Sequence, residues 1–194
     1  LHLCSHNLEN IKNVNSIDND TLLAEVCLAA KHEGESLVKE YKEHKEKNRD
    51  FNICTALARS FADIGDIVRG RDLFYGNPQE KDQRKVLDKK LKKIFGNIYK
   101  ELKKKKGRNG QIEARYKKDQ YYYKLREDWW DANRHTVWKA ITCNDDNKLR
   151  DASYFRPTCG DKKGPSVAKD HCRCDGSNAN QVPTYFDYVP QYLR

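Results

Sequence analysis

Few residues of this 194-residue chain have chemistry to offer: seven cysteines, six histidines, some paired acids and a dense run of lysines. Cys159, His171, Cys172 and Cys174 can be drawn as a zinc site, but their spacing matches none of the common Cys/His ligand patterns. Asp63 and Asp66 stand three apart in an apolar segment. They can be drawn as paired carboxylates, but structural hydrogen bonds or ion pairs, with Arg59 or Arg69, explain them better. There is no glycine-rich phosphate loop, no nucleophile elbow and no His-Glu-x-x-His, and the histidines do not cluster. The chain reads as a non-enzyme with no cofactor and no metal.

The cysteines point instead to covalent staples. Seven is a high count for a cytosolic chain of this length, and disulfides persist in oxidising compartments, so a cell-surface setting is expected. An odd number leaves at least one thiol without a partner in the chain. On position alone, Cys27 and Cys54 make a reasonable pair, as neighbours on consecutive helices.

The net charge of +9 is unevenly placed. Residues 1–80 are net acidic by 4, residues 127–194 are neutral, and residues 81–126 carry 18 basic against 5 acidic side chains. The basic run is not balanced by acids at i+4, and it ends in four consecutive lysines, Lys103 to Lys106. A solvated helix face is the ordinary reading of such a run. This density also attracts polyanions, with a salt dependence set by screening. Nucleic acid fits the charge but not the cysteines, and no nucleic-acid motif is present.

Helices must position these groups. Mean hydropathy is −1.02, yet 37% of residues are apolar, with three Trp and eleven Tyr, which is enough for a core. Residues 1–18 are polar and rich in Asn and Asp, expected as loop. Asp20 or Thr21 can cap a first helix carrying Leu22, Leu23, Val26, Cys27, Ala29, Ala30, Leu37, Val38 and Tyr41, interrupted at Gly34. A second helix, 51–68, has a wide apolar stripe through Ile53, Leu57, Phe61, Ile64 and Val68, closed by Gly70. In a third, 80–106, Leu87, Leu91, Ile94, Phe95, Ile98 and Leu102 fall within one arc of about 100°, with Lys85, Lys89, Lys92, Lys93, Lys100 and Lys103 opposite. A fourth, 111–142, spaces Tyr116, Tyr123, Trp130 and Val137 a heptad apart. Tyr121 to Tyr123 with Trp129 and Trp130 span all faces of that helix, so some must point outward, where a ring can stack on a sugar or anchor a partner. After Cys143, Asn, Asp, Gly and Pro accumulate, marking a loop-rich region. The fold class is all-α: a bundle of about four long helices with a disulfide-stapled, loop-rich C-terminal extension. No apolar run approaches the roughly 20 residues needed to cross a bilayer, and the first six residues are not a signal peptide. An anchor or export signal is expected elsewhere in a parent protein.

Five blocks, taken in order, resemble one family. They are Leu22-Leu23-Ala24-Glu25-Val26-Cys27, the stretch 58–70 (Ala58-Arg59-Ser60-Phe61-Ala62-Asp63-Ile64-Gly65-Asp66-Ile67-Val68-Arg69-Gly70), Asp128-Trp129-Trp130 with Trp138-Lys139-Ala140-Ile141-Thr142-Cys143, Cys172-Arg173-Cys174, and the stretch 182–194 that opens Val182-Pro183-Thr184-Tyr185-Phe186-Asp187-Tyr188. Together they resemble the Duffy-binding-like (DBL) adhesion domain, alpha class, of the variant erythrocyte membrane protein of Plasmodium falciparum, over the whole chain. The resemblance implies that residues 1–18 end the first DBL subdomain, 19–145 form the second and 146–194 begin a truncated third. It implies a disulfide between Cys54 and Cys143. Cys4 would pair outside the chain, and Cys159 with Cys172 or Cys174. It further implies adhesion of an infected red cell to host erythrocytes (rosetting), through heparan sulfate, blood-group sugars or a complement receptor, beside neighbouring domains of the same parent chain. A sialylated glycoprotein, as for an invasion ligand of the same fold, is the rival partner, and a structural module supporting a binding domain the rival role. By charge, the candidate glycan-binding residues are Lys85, Lys89, Lys92, Lys93, Lys100, Lys103, Lys104, Lys105, Lys106, Arg108, Arg115, Lys117 and Lys118.

Overall fold

Asp18 starts the first helix, two or three residues before the expected caps. In a computed structural model of the protein, described over residues 8, 11, 13–44, 52–71, 77–104, 109–143, 147–161 and 164–194, α1 runs Asn19–His44. The Asp18 carboxylate accepts the Thr21 N–H at 2.8 Å, an N-cap that also holds this carboxyl below its usual range. Gly34 does not interrupt the helix. It lets α1 cross the end of the last helix at backbone contact, since a Cβ there would lie 2.0 Å from the Ile141 carbonyl oxygen.

Helix α2, Ile53–Arg69, is capped by the Asn52 side chain, which accepts the Thr55 N–H at 3.0 Å. It ends where Gly70 turns left-handed at φ +72° and the Arg71 N–H reaches back to the Asp66 carbonyl at 2.8 Å. Helix α3, Pro78–Lys104, has proline in its first turn and the Asn77 side chain accepting the Glu80 N–H at 2.9 Å. Leu87, Leu91, Ile94, Phe95 and Ile98 of its apolar arc are buried and Leu102 is partly so.

The expected fourth helix is two. Helix α4 covers Asn109–Tyr116 and α5 covers Tyr123–Ile141. Between them Lys118 and Tyr122 take positive φ, and the Asp119 carboxylate, not the residue at the helix start, accepts the N–H groups of Lys124 and Leu125. An Asp that bonds the backbone locally is a stop and a start signal at once, and the heptad spacing runs across it.

Helices α1, α2 and α5 pack on one another, and α3 closes the bundle against α4 and α5. Phe61 sits between Trp130 and Trp138, with ring centres at 5.1 and 5.2 Å. Both Trp129 and Trp130 are buried, so the outward-facing rings are the tyrosines. The extension holds a two-stranded antiparallel hairpin, β1 Cys159–Asp161 with β2 Gly164–Ser166, and short 3-10 turns. Its Leu149, Tyr154, Cys159, Ala168 and Val182 belong to the same core as the bundle. Sixty-five per cent of the described chain is helical, as the apolar periodicity required.

The implied Cys54–Cys143 disulfide is corrected. Cys54 bonds Cys172, with Cα atoms 5.5 Å apart, and Cys159 bonds Cys174. Cys143 and Cys27 are the free thiols among the described cysteines, so a Cys27–Cys54 bond is absent too. The reason is where the extension docks. The Asn52 amide donates to the Ser153 carbonyl at 3.1 Å, the Trp138 indole N–H to the Cys172 carbonyl at 3.1 Å, and the Cys172 N–H to the Ala152 carbonyl at 2.9 Å. These bonds carry Cys172 to the first turn of α2. Cys143 lies beyond the end of α5, an end taken by Arg173, which donates to Thr142 Oγ1 at 2.8 Å and to the Lys139 carbonyl at 2.7 Å. Cys4 lies outside the described residues.

Candidate functional site

The lysine face of α3 is only partly open. At 100° per residue, Lys89, Lys93, Lys100 and Lys104 lie within an arc of about 60° and span about 22 Å of helix. All four are exposed, and none has an acidic partner among the described residues. One flank of this row is covered by α4 and the turn after it. Lys92 places its Nζ 3.9 Å from the centre of the Tyr121 ring, Tyr122 packs over Gly96 and beside Tyr99 at 5.9 Å, and Lys103 is ion-paired to Glu113. The other flank is closed at Asn97, whose amide donates to the Val14 carbonyl at 3.0 Å.

The remaining candidates divide accordingly. Lys85 meets Asp82 at 3.2 Å, both well exposed, a pair of little energetic weight. Arg115 is a structural tie: its guanidinium donates to both carboxylate oxygens of Asp128, at 2.6 and 2.5 Å, and the Tyr116 hydroxyl donates to the same carboxylate at 2.7 Å. Lys117 and Lys118 are exposed in the turn. Lys105, Lys106 and Arg108 lie outside the described residues.

The hydrogen bonds from Arg115 hold the Asp128 carboxyl below its usual range, against a smaller opposing effect of burial. A depressed carboxylate stabilises the fold above its unfolded pKa, near 4, and that contribution disappears as pH falls through the folded value. Because Arg115 is exposed and Asp128 only partly buried, the effect is expected to be about 1 kcal/mol or less. Urea unfolding of Asp128→Asn against parent at pH 7 and pH 3 should show a difference at pH 7 that shrinks at pH 3.

The carboxylates at 63 and 66 have structural partners. Arg194 bonds Asp63 at 2.9 Å and also bonds Asp66, which in turn accepts from Arg69 at 2.9 Å. Arg69, almost wholly buried, also donates to the Gly65 carbonyl at 3.0 Å and to the Asp187 backbone carbonyl. The Asp187 side chain, buried from the other side, accepts from the Trp130 indole at 2.8 Å and from Arg134 twice at 2.8 Å. The stretches 58–70 and 182–194 are therefore the two halves of one buried clamp, closed by α5. Three of the four residues of the drawn zinc site, Cys159, Cys172 and Cys174, are used up in disulfides, and no cluster of three or more His, Cys, Asp or Glu among the described residues is placed to hold a metal.

A family model described as the Duffy binding domain matches residues 1–194. The chain belongs to the Duffy binding domain family. Among solved structures it is similar to the NTS-DBL1(alpha-1) domain of Plasmodium falciparum membrane protein 1 (PfEMP1) from the varO strain, at 41% identity and TM-score 0.70, over 99% of this chain and 40% of that one. It is also similar to the NTS-DBL1-alpha and CIDR-gamma double domain of PfEMP1 from the same strain, at 39% identity and TM-score 0.65, over 99% of this chain and 25% of that one. An ICAM-1-binding PfEMP1 DBLbeta domain follows at 35% identity and TM-score 0.64, over the whole chain and 39% of the relative. The chain thus spans about two fifths or less of each of these structures. No curated protein sequence matched it.

In this Duffy binding domain, sequence reasoning missed two features. It placed Asp63 and Asp66 with Arg59 or Arg69 but had no signal for Arg194 or Asp187, because those partners lie more than 100 positions away. And it counted lysines along the helix without the neighbours that cover Lys92 and Lys103. A Tyr-Tyr-Tyr run beginning two residues after a turn-forming Asp119 was the available hint that something packs on that flank.

Proposed function

We propose that this chain is the adhesive part of a parasite antigen displayed on the infected red-cell surface, and that it binds sulfated polysaccharide or related glycans of host erythrocytes through the outer face of α3. Residues 19–145 would be the second DBL subdomain, bounded by the end of a first and the start of a third. It would work as a binding module without catalysis, beside other domains of its parent chain, as the DBL1-alpha relative stands beside a CIDR-gamma domain. The observation that carries the glycan reading is the row of Lys89, Lys93, Lys100 and Lys104, exposed cations with no ion-pair partner among the described residues. A linear polyanion can lie along such a row, and several weak contacts add up.

Heparin-column retention tests this. Reversing Lys89, Lys93, Lys100 and Lys104 to Glu should abolish retention at moderate salt with unfolding unchanged, since the apolar arc is untouched. The same four-charge reversal at Lys39, Lys139, Lys148 and Lys169 should leave most of it. Equal loss in both variants would reduce the effect to net charge, and retention in the first would place the site elsewhere. A protein receptor is the second reading, favoured by the similarity to a domain described as ICAM-1-binding. Red-cell binding that soluble heparin does not compete would support it.

A further inference from the structure

The turn that covers one flank of α3 leaves two rings in solvent. Tyr121 and Tyr123 are 48% and 46% exposed, although tyrosines on a helical bundle have a large apolar area to hide. They stack on each other, with centres 5.5 Å apart and planes 21° from parallel. Tyr123 is fixed from behind: a Cβ on Gly70 would meet its ring at 2.8 Å, and the Arg126 guanidinium lies 5.7 Å from its centre. Tyr121 is fixed by Tyr123 and by the Lys92 ammonium over its ring. The pair is therefore an ordered aromatic ledge. On α3, Lys89 and Lys93 lie one turn below and one residue above Lys92, so the ledge adjoins the N-terminal half of the open lysine row. Lys117 and Lys118, exposed in the same turn, add cations close to it in sequence.

We infer that this ledge is a sugar-ring contact of the polyanion site: the part of the Tyr121 ring that Tyr123 and Lys92 leave exposed packs on the apolar C–H surface of a pyranose whose sulfates pair with Lys89 and Lys93. Charge alone accepts any polyanion. A rigid aromatic beside the charges makes the site prefer a polyanion that carries rings, as a sulfated carbohydrate does, over one without them, because a ring ligand offers apolar area together with anions. The inference rests on the α3 reading given under Proposed function and adds to it the basis of discrimination.

The test measures binding of the 194-residue chain to heparin and to inorganic polyphosphate, a polyanion without rings, across a salt series. Tyr121→Ala is expected to weaken heparin binding about three- to tenfold while polyphosphate binding changes less than about twofold and the salt slope of both is unchanged. Tyr121→Phe, which keeps the ring, should bind heparin like the parent. Tyr121 is half exposed, so neither change opens the core, and urea unfolding should confirm equal stability. Equal loss of heparin and polyphosphate in Tyr121→Ala, or no loss of heparin, overturns the ledge while leaving the lysine row intact. Parent chain that binds neither polyanion, or a fourfold Lys→Glu variant that still binds both, overturns the row and the ledge with it.

Discussion

Replacing Cys172 by serine is expected to lower the unfolding free energy by about 5 kcal/mol in the chain-entropy account of a disulfide, whereas Cys143→Ser should stay within about 1 kcal/mol of the parent. The difference follows from which bond exists. Cys54 and Cys172 are 118 positions apart, so their bond removes a large part of the freedom of the unfolded chain. Both side chains are wholly buried, and a serine left at Cys172 would also strand the Cys54 thiol in the core. Cys143 is free and half-buried beyond α5, in no disulfide. Oxidised protein unfolded in urea, with the m-value checked for a change in the unfolded state, measures both. If Cys143→Ser lost several kcal/mol and Cys172→Ser lost none, the pairing implied by the family resemblance would be restored.

Removing the Asp187 carboxylate should cost about 3–5 kcal/mol, the usual toll of leaving a buried charge without its partner. Asp187→Ala frees three donors at once: the Trp130 indole and two guanidinium N–H groups of Arg134. Arg134 is only 14% exposed. Burial works against its charge, and the hydrogen bonds to Asp187, together with the attraction of that carboxylate and of Tyr188 and Tyr185, outweigh it and raise its pKa. Without the carboxylate the cost of burying that charge loses its main counterweight. The Arg69 bond to the Asp187 backbone survives the substitution, so the loss isolates the side chain. A double-mutant cycle with Arg134→Met should return a coupling of at least about 1.5 kcal/mol, because the second change removes the stranded charge. A coupling near zero would mean that the clamp is held by packing alone. Such a loss is a large fraction of what a domain has to spend. Two of the stretches that carried the family resemblance, 58–70 and 182–194, are thus adjacent for an energetic reason.

Asp66 shows the same clamp from the other side. Burial pushes its carboxyl up although Arg194 and Arg69 both pull it down. The protein keeps an acid there that is costly to ionise, and it does so with two guanidinium partners. A lone search for paired carboxylates in the sequence sees Asp63 and Asp66 as chemistry. In place they are the docking point of residue 194 on α2.

What the sequence determined by itself is what depends on near neighbours. The apolar arc of α3 buried the residues its period predicts, since backbone hydrogen bonding sets 3.6 residues per turn whatever lies opposite. Gly70 ended α2 because its left-handed φ is a local demand, and the all-helical class followed from the same periodicities. The chain's charge asymmetry was equally plain, as charge is carried by residue type. The tertiary structure decided everything that turns on which distant groups meet. Heptad spacing across 111–142 fitted one helix as well as two. The choice went to a turn at 117–122 because Asp119 caps α5 and Tyr122 finds its packing on Gly96. The partner of Cys54 was decided by where the extension docks on α2 and α5, which no spacing encodes. Which lysines stay open was decided by α4 and its turn covering one edge of α3. Composition gives the cations, and only packing says which of them face the solvent unpaired.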